Sequence, residues 1–343
     1  MSYYYLPKIY PPIKNNDIEI LFKKTDEDDE DYLKSLNTIK NEIKQFKNNS
    51  VIKKILSPYS ILSTIIVKNK NITYDYLLFT EIFNLTKIVF HNNIRTFNFY
   101  KNDIEIIKYI NYVNSNSICK HYTCNFYENS PENINYDKKM NDLLDNNNYS
   151  YVKNNYNSFF DFISIMEIND DTSINYYYLK VFISLYMLKP DSNFIFKIPN
   201  IHSKENIDLL FIVSNYFDRT IIIKPNITNY FKNDKYVSCK KLTNTNKSLI
   251  SNLCDIYLQL IKTNTSKISG LLKLNIPTTF VSKIDECNSI TSQNLLDNYC
   301  YLHNVCKMCD KNSSNEKINE INEKNKLRCQ NWCSINGIEY NTI

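Results

Sequence analysis

NFIFKIPNIHSKENIDLLFIVSNYFDRTIIIKPNITNYFKNDKYVSCKKL, from Asn193 to Leu242, decides the fold. It reads as strand, helix, strand, loop, strand. NFIFKI and RTIIIK are short runs rich in Ile and Phe, each ended by Lys and Pro. Between them Ile207, Leu209, Leu210, Ile212, Val213 and Phe217 recur at helical spacing. Asp234 then precedes an apolar closing strand, Tyr236 to Cys239. A Lys at one strand end (Lys197) and an acid entering a later strand can meet at one edge of a sheet, where ligand sites of α/β proteins form.

This stretch resembles the C-terminal half of the FtsJ-like ribose 2'-O-methyltransferases. In that family a strand ends in a catalytic Lys. A helix follows, then KP-x-x-S-x-x-x-S-x-E-x-Y and an apolar strand. Here the run is KPNITNYFKNDKYVSC, with the spacing kept and Asp234 in place of the Glu. The resemblance implies a Rossmann-like methyltransferase sheet, an α/β architecture with helices on both faces.

The same resemblance extends toward the N-terminus. TYDYLLFTEIFNLTKI (Thr73 to Ile88) reads as a helix, IRTFNFY (Ile94 to Tyr100) as a strand and DIEIIKYINYV (Asp103 to Val113) as a helix. In the branch of the family found in large DNA viruses, TFHLAEGPGGFIEAI binds S-adenosylmethionine at this place. Thr96 to Ile110 reads TFNFYKNDIEIIKYI, so that Lys101, Asn102, Asp103, Ile104 and Glu105 replace the Gly-rich loop. The chain holds only two glycines, Gly270 and Gly337. That excludes P-loops and G-x-G-x-x-G loops, which need positive φ and close backbone approach. A β-branched Ile104 fits such a turn poorly. No cofactor is expected, and S-adenosylmethionine only if the chain is active.

The family's tetrad is Lys, Asp, Lys, Glu, with the second Lys as the base that removes the ribose proton. Aligning the family's R-A-x-x-K-x-x-E-I on Glu81 and Ile82 puts Leu78 at the first Lys. The Asp falls on Met166, or with a one-residue slip on Glu167; Lys197 matches the base and Asp234 the Glu. The expectation is therefore a vestigial site of Lys197, Asp234, Glu167 and Leu78.

Net charge is +5 and dispersed, which permits RNA contact without demanding it. Ten Cys without a secretory leader suggest reduced thiols in a cytoplasmic compartment, and no run of about 18 apolar residues suggests a membrane span. Cys119, His121 and Cys124 read as packing and surface, within a polar segment, 119–157, that holds one strand (His121 to Tyr127) and a long loop. Cys300, His303, Cys306 and Cys309 have metal-like spacing. Yet they lie in a helical pattern from Ser292 to about Met308, where a spacing of three turns successive residues around the axis. A buried-Cys helix is preferred over zinc. Residues 1–57 form an extension with an amphipathic helix (Tyr32 to Phe46), 58–242 the methyltransferase fold and 243–343 a helical region. The final helix holds Trp332 and ends at Gly337.

The resemblance, with the losses, implies a non-catalytic subunit or RNA-binding partner in viral mRNA capping or RNA modification. The cofactor-less small subunits of poxvirus capping enzymes are similar. Its partners would be a capping-enzyme subunit or another viral RNA-processing protein, and capped RNA, with no membrane. Its place would be the host cytoplasm, in a viral factory or packaged in a virion. Two alternatives stay open: an active cap 2'-O-methyltransferase with an atypical loop, and a virion scaffold protein.

Overall fold

The computed structural model describes residues 2–8, 13–22, 31–46, 48–90, 93–99, 103–115, 117–124, 133–140, 143–168, 174–198, 200–263, 268–310 and 315–342. The strands are β1 (Ser2–Tyr5), β2 (Ile18–Phe22), β3 (Ile94–Asn98), β4 (Cys119–Thr123), β5 (Ile134–Tyr136), β6 (Phe160–Ile165), β7 (Leu188–Ile198), β8 (Phe217–Lys224), β9 (Lys235–Leu242) and β10 (Ile268–Leu272). The helices are α1 (Asp31–Ile43), α2 (Asn49–Ile55), α3 (Tyr74–Thr86), α4 (Ile104–Val113), α5 (Asn146–Asn155), α6 (Ile174–Met187), α7 (Lys204–Tyr216), α8 (Lys247–Lys262), α9 (Thr278–Asp310) and α10 (Asn315–Asn336).

Eight strands make one sheet in the order β1-β8-β9-β7-β6-β3-β4-β5. From β7 to β5 neighbouring strands are parallel. β9 lies antiparallel between β7 and β8. This is a Rossmann-like α/β sheet, and the strand order reverses between β3 and β6. Along β7 the side chains alternate between two cores. Phe194 and Phe196 join the core that α6, α7 and α8 help to build, whereas Ile195 joins the core of α3, α4 and α10. All three are fully buried. Each such burial stabilises the fold by about 1.5–3 kcal/mol, so the apolar run in β7 holds both layers to the sheet.

The boundaries differ from the sequence expectation where local pattern and tertiary pairing compete. The helix between β7 and β8 stops at Tyr216, because Phe217 begins β8. The strand expected from His121 starts two residues earlier, at Cys119, and ends at Thr123; residues 125–127 of that expectation lie outside the described residues. The polar segment after it carries β5 and α5 as well as loop. The helix expected from Ser292 begins at Thr278. After Leu242 the chain is not all helical: β10 pairs antiparallel with β2 in a separate two-stranded sheet. β1 pairs with β8, Tyr3 opposite Ile223, and adds an eighth strand to the main sheet.

Both glycines have a physical reason. Gly337, at φ +69°, follows the end of α10. Gly270 sits in β10 against α7, where an added Cβ would lie 3.1 Å from Lys204 Nζ and 3.2 Å from Asp208 Oδ2. Asp208 is fully buried. Its Oδ2 accepts the backbone N–H groups of Leu271 at 2.7 Å and Leu272 at 3.1 Å, and Lys204 Nζ at 2.8 Å.

His121 is a buried titratable group of β4. Its Nδ1 lies 2.7 Å from Thr96 Oγ1 and its Nε2 2.9 Å from Asn111 Oδ1. The neutral ring satisfies both, with Nε2–H donating to Asn111 and Nδ1 accepting the Thr96 hydroxyl. Burial pushes its pKa down from 6.5 to about 4. The unfolded chain takes up this proton first as pH falls. Stability is therefore full above pH 6.5 and is lost progressively down to about pH 4, by roughly 3 kcal/mol in all. Urea melts at stepped pH should show that slope in the wild type and lose it in His121→Gln. An unchanged slope in the variant would assign the acid lability elsewhere.

Candidate functional site

Lys197 is the last but one residue of β7, and its Cα partner on β9 is Tyr236. Asp234 immediately precedes β9. The antiparallel register therefore carries the two side chains to the same sheet edge, and Lys197 Nζ lies 2.9 Å from Asp234 Oδ1. The buried Tyr177 hydroxyl donates to the Lys197 carbonyl and fixes the strand end from α6. Lys197 and Asp234 line a cavity of about 220 Å³ together with Leu78, Met166 and Glu167. Every position that the sequence matched to the tetrad, including both candidates for its Asp, thus meets around one cavity. Leu78 contributes a buried apolar side chain from α3 where the motif has an amine. Two more lysines flank Asp234. Burial lowers the pKa of Lys224 while Asp234 raises it, and the Lys224 ammonium donates to the Lys232 carbonyl at 2.7 Å. Burial pushes Lys235 down to about 8, and its Nζ has no hydrogen-bond partner among the described residues. As an ion pair, Lys197 offers N–H donors to an anion or a hydroxyl.

Glu81, one turn after Leu78, has a different task. It is fully buried. Its Oε1 accepts Asn226 N–H at 2.9 Å and its Oε2 accepts Ile227 N–H at 3.2 Å. Glu81 therefore holds the turn that follows the Lys224-Pro225 pair. That turn leads into Tyr230, Lys232 and Asp234.

A second cavity, of about 510 Å³, shares Tyr74 and Asp234 with the first. Lys53, Lys54 and Lys232 line it, with Tyr59 and Tyr230. Lys53 is held over the rings of Phe231 and Tyr299, 5.2 and 5.4 Å from their centroids. Burial lowers its pKa, and the charge of Lys232 lowers it further. Among the described residues none of these three lysines has a carboxylate within ion-pair distance. Asp234, the acid that also lines this cavity, is paired with Lys197, so the three lysines outweigh it and favour an anion in the cleft. α3, α2 with the turns after it, and the segment before β9 supply these groups.

The region of the expected loop is only partly described, since Lys101 and Asn102 lie outside the described residues. Asp103 is buried and Ile104 opens α4. The Glu105 carboxylate is taken by the Thr73 hydroxyl, 2.8 Å away, and by Lys108. It serves the α3–α4 junction. The spaced Cys/His set stays on one continuous helix, α9. Cys306 is buried, Cys300 is exposed and His303 faces Glu42 at 3.2 Å. No group of three or more His, Cys, Asp or Glu could hold a metal ion among the described residues. No helix among them is long and apolar enough to cross a membrane.

Sequence reasoning missed the larger cavity. Its walls come from residues 50–63 and 227–234, which no local period connects. The available signal was the interleaving of Lys and Tyr in KKILSPYS and TNYFKND.

No family model matches this chain, and no curated protein matches it. Among solved structures it is similar to a probable spermidine synthase from Corynebacterium glutamicum, with a TM-score of 0.36 and 10% identity over 60% of this chain and 82% of that one.

Proposed function

We propose that this chain is an FtsJ-like methyltransferase homologue that binds RNA in its cleft without transferring a methyl group, as a non-catalytic partner in viral RNA capping or modification. One observation carries the reading: the tyrosine-lined cavity with three unneutralised lysines opens beside the Lys197–Asp234 pair. Lysines that neutralise phosphates and tyrosines on which unpaired bases stack are the two halves of single-strand binding. The absence of an amine at Leu78 and the engagement of Glu105 elsewhere support the non-catalytic half. A capping-enzyme subunit in the host cytoplasm or a viral factory is the partner this reading implies.

Anisotropy titration with a fluorescent single-stranded RNA tests it. The wild type should bind with an affinity that falls as salt rises. Lys53→Glu with Lys232→Glu should weaken binding on the order of 100-fold and flatten the log–log salt slope by about 0.7 for each phosphate that is no longer neutralised. Equal binding by wild type and double variant would refute the cavity as the site. A working methyltransferase is the second reading, and it has one observation in its favour, the convergence of Glu167, Lys197 and Asp234 on one cavity. Methyl transfer from radiolabelled S-adenosylmethionine to capped RNA would establish it.

A further inference from the structure

α6 is an apolar helix with one cation in its middle, Lys180, in the run YYYLKVF. The Lys180 ammonium lies 4.7 Å from the ring centroid of Tyr176, one turn earlier on α6, and 5.7 Å from that of Phe99. Phe99 is the residue after β3. Burial lowers the Lys180 pKa, while Cys124 and Glu167 raise it. Cys124 follows β4 directly, and Glu167 lies two residues past β6. The ammonium is therefore gathered against the carboxyl ends of β3, β4 and β6. That is the crevice where the strand order reverses and where ligands of open α/β sheets bind. Among the described residues it makes no hydrogen bond or ion pair, so rings and a nearby acid hold it in place.

Two aromatic rings around a positive charge form a cation cage, as in sites that recognise alkylated ammonium groups. We infer that Phe99 and Tyr176 make a cation cage in the cofactor crevice, and that Lys180 fills it from within, where the fold would otherwise receive the positively charged sulfonium of S-adenosylmethionine. The residues present do not fit that cofactor, because an ammonium already stands in the crevice and a second cation meets like-charge repulsion. The cage nevertheless keeps its chemistry: an empty one takes a small alkyl cation. This inference stands apart from RNA binding, which uses other residues.

Cation rescue tests it. Lys180→Ala in the full chain should melt below the wild type. Millimolar trimethylsulfonium or propylammonium should raise its midpoint by about 2 °C, whereas neutral propanol should not. The wild type should not respond to either cation. Equal shifts in both proteins, or a folded variant that no cation moves, would overturn the cage. Should Lys180→Ala fail to fold, Lys180→Gln replaces it. Calorimetric titration of the wild type with S-adenosylmethionine is the independent arm: no saturable heat is expected, and saturable binding would sink the inference whatever the variants do.

Discussion

Asp208→Ala is expected to destabilise the chain by about 3–5 kcal/mol, the cost of breaking a buried charged network by removing one partner. The carboxylate gathers two backbone N–H groups of β10 and the Lys204 ammonium. Alanine leaves both N–H groups buried and unpaired, at about 1–3 kcal/mol each. β10 is one half of a two-stranded sheet, and such a pair is marginal by itself. Its attachment to α7 therefore depends on this acid. Asp208→Asn keeps one acceptor and should cost about half as much. Denaturant melts with hydrogen exchange at Leu271 and Leu272 provide the check. A loss under about 1 kcal/mol with both amides still protected would show that the packing around Gly270 holds the strand unaided.

Glu81→Gln is expected to cost about 2–4 kcal/mol, since a charge-assisted hydrogen bond contributes about 1.5–3 kcal/mol and the new amide turns an NH₂ toward a backbone N–H. The effect should reach the proposed RNA cavity. The Asn226–Ile227 turn that Glu81 grips leads directly to Tyr230, Lys232 and Asp234. RNA affinity should fall in a variant whose substitution touches no RNA. Burial raises the Glu81 pKa, against the pull of the two backbone N–H groups. The native state then holds this proton more tightly than the unfolded chain does. Stability consequently falls as pH rises from the ordinary glutamate range through the raised value. The glutamine variant should lose that dependence. A variant with wild-type stability and wild-type RNA affinity would remove Glu81 from any role in shaping the cleft.

The centre of the sheet was legible because its strands are short apolar runs closed by Lys-Pro or an acid, a pattern that survives without context. Lys197 and Asp234 were legible for the same reason, since each sits at a strand boundary that the pattern marks. Leu78 was found through its spacing from Glu81. The task of Glu81 was not, because its partners are backbone groups 145 and 146 residues away. β2 and β10 escaped because the two strands pair across about 250 residues of chain, a distance no local pattern spans. Lys180 escaped because a single cation inside YYYLKVF resembles a solvated interruption of a core helix. Only the placement of Phe99 after β3 and of Glu167 after β6 gives it meaning. The lysines of the larger cavity were hidden by composition, as a chain with 41 Lys and Arg makes any two of them look incidental.

β1 has a consequence for how the protein is made. Its four residues pair with Ile221 to Lys224, about 220 positions later in the chain. A ribosome adding about 5–20 residues per second needs roughly 10–40 seconds to deliver that partner. Throughout this interval the Tyr3-Tyr4-Tyr5 segment is synthesised but has no strand to join. It is an aromatic, β-prone stretch of the kind that seeks a neighbouring edge. Among the strands of the eight-stranded sheet, β1 precedes the rest in the chain and waits longest for its partner. The yield of folded protein in the cell should depend on what shields those tyrosines until β8 arrives.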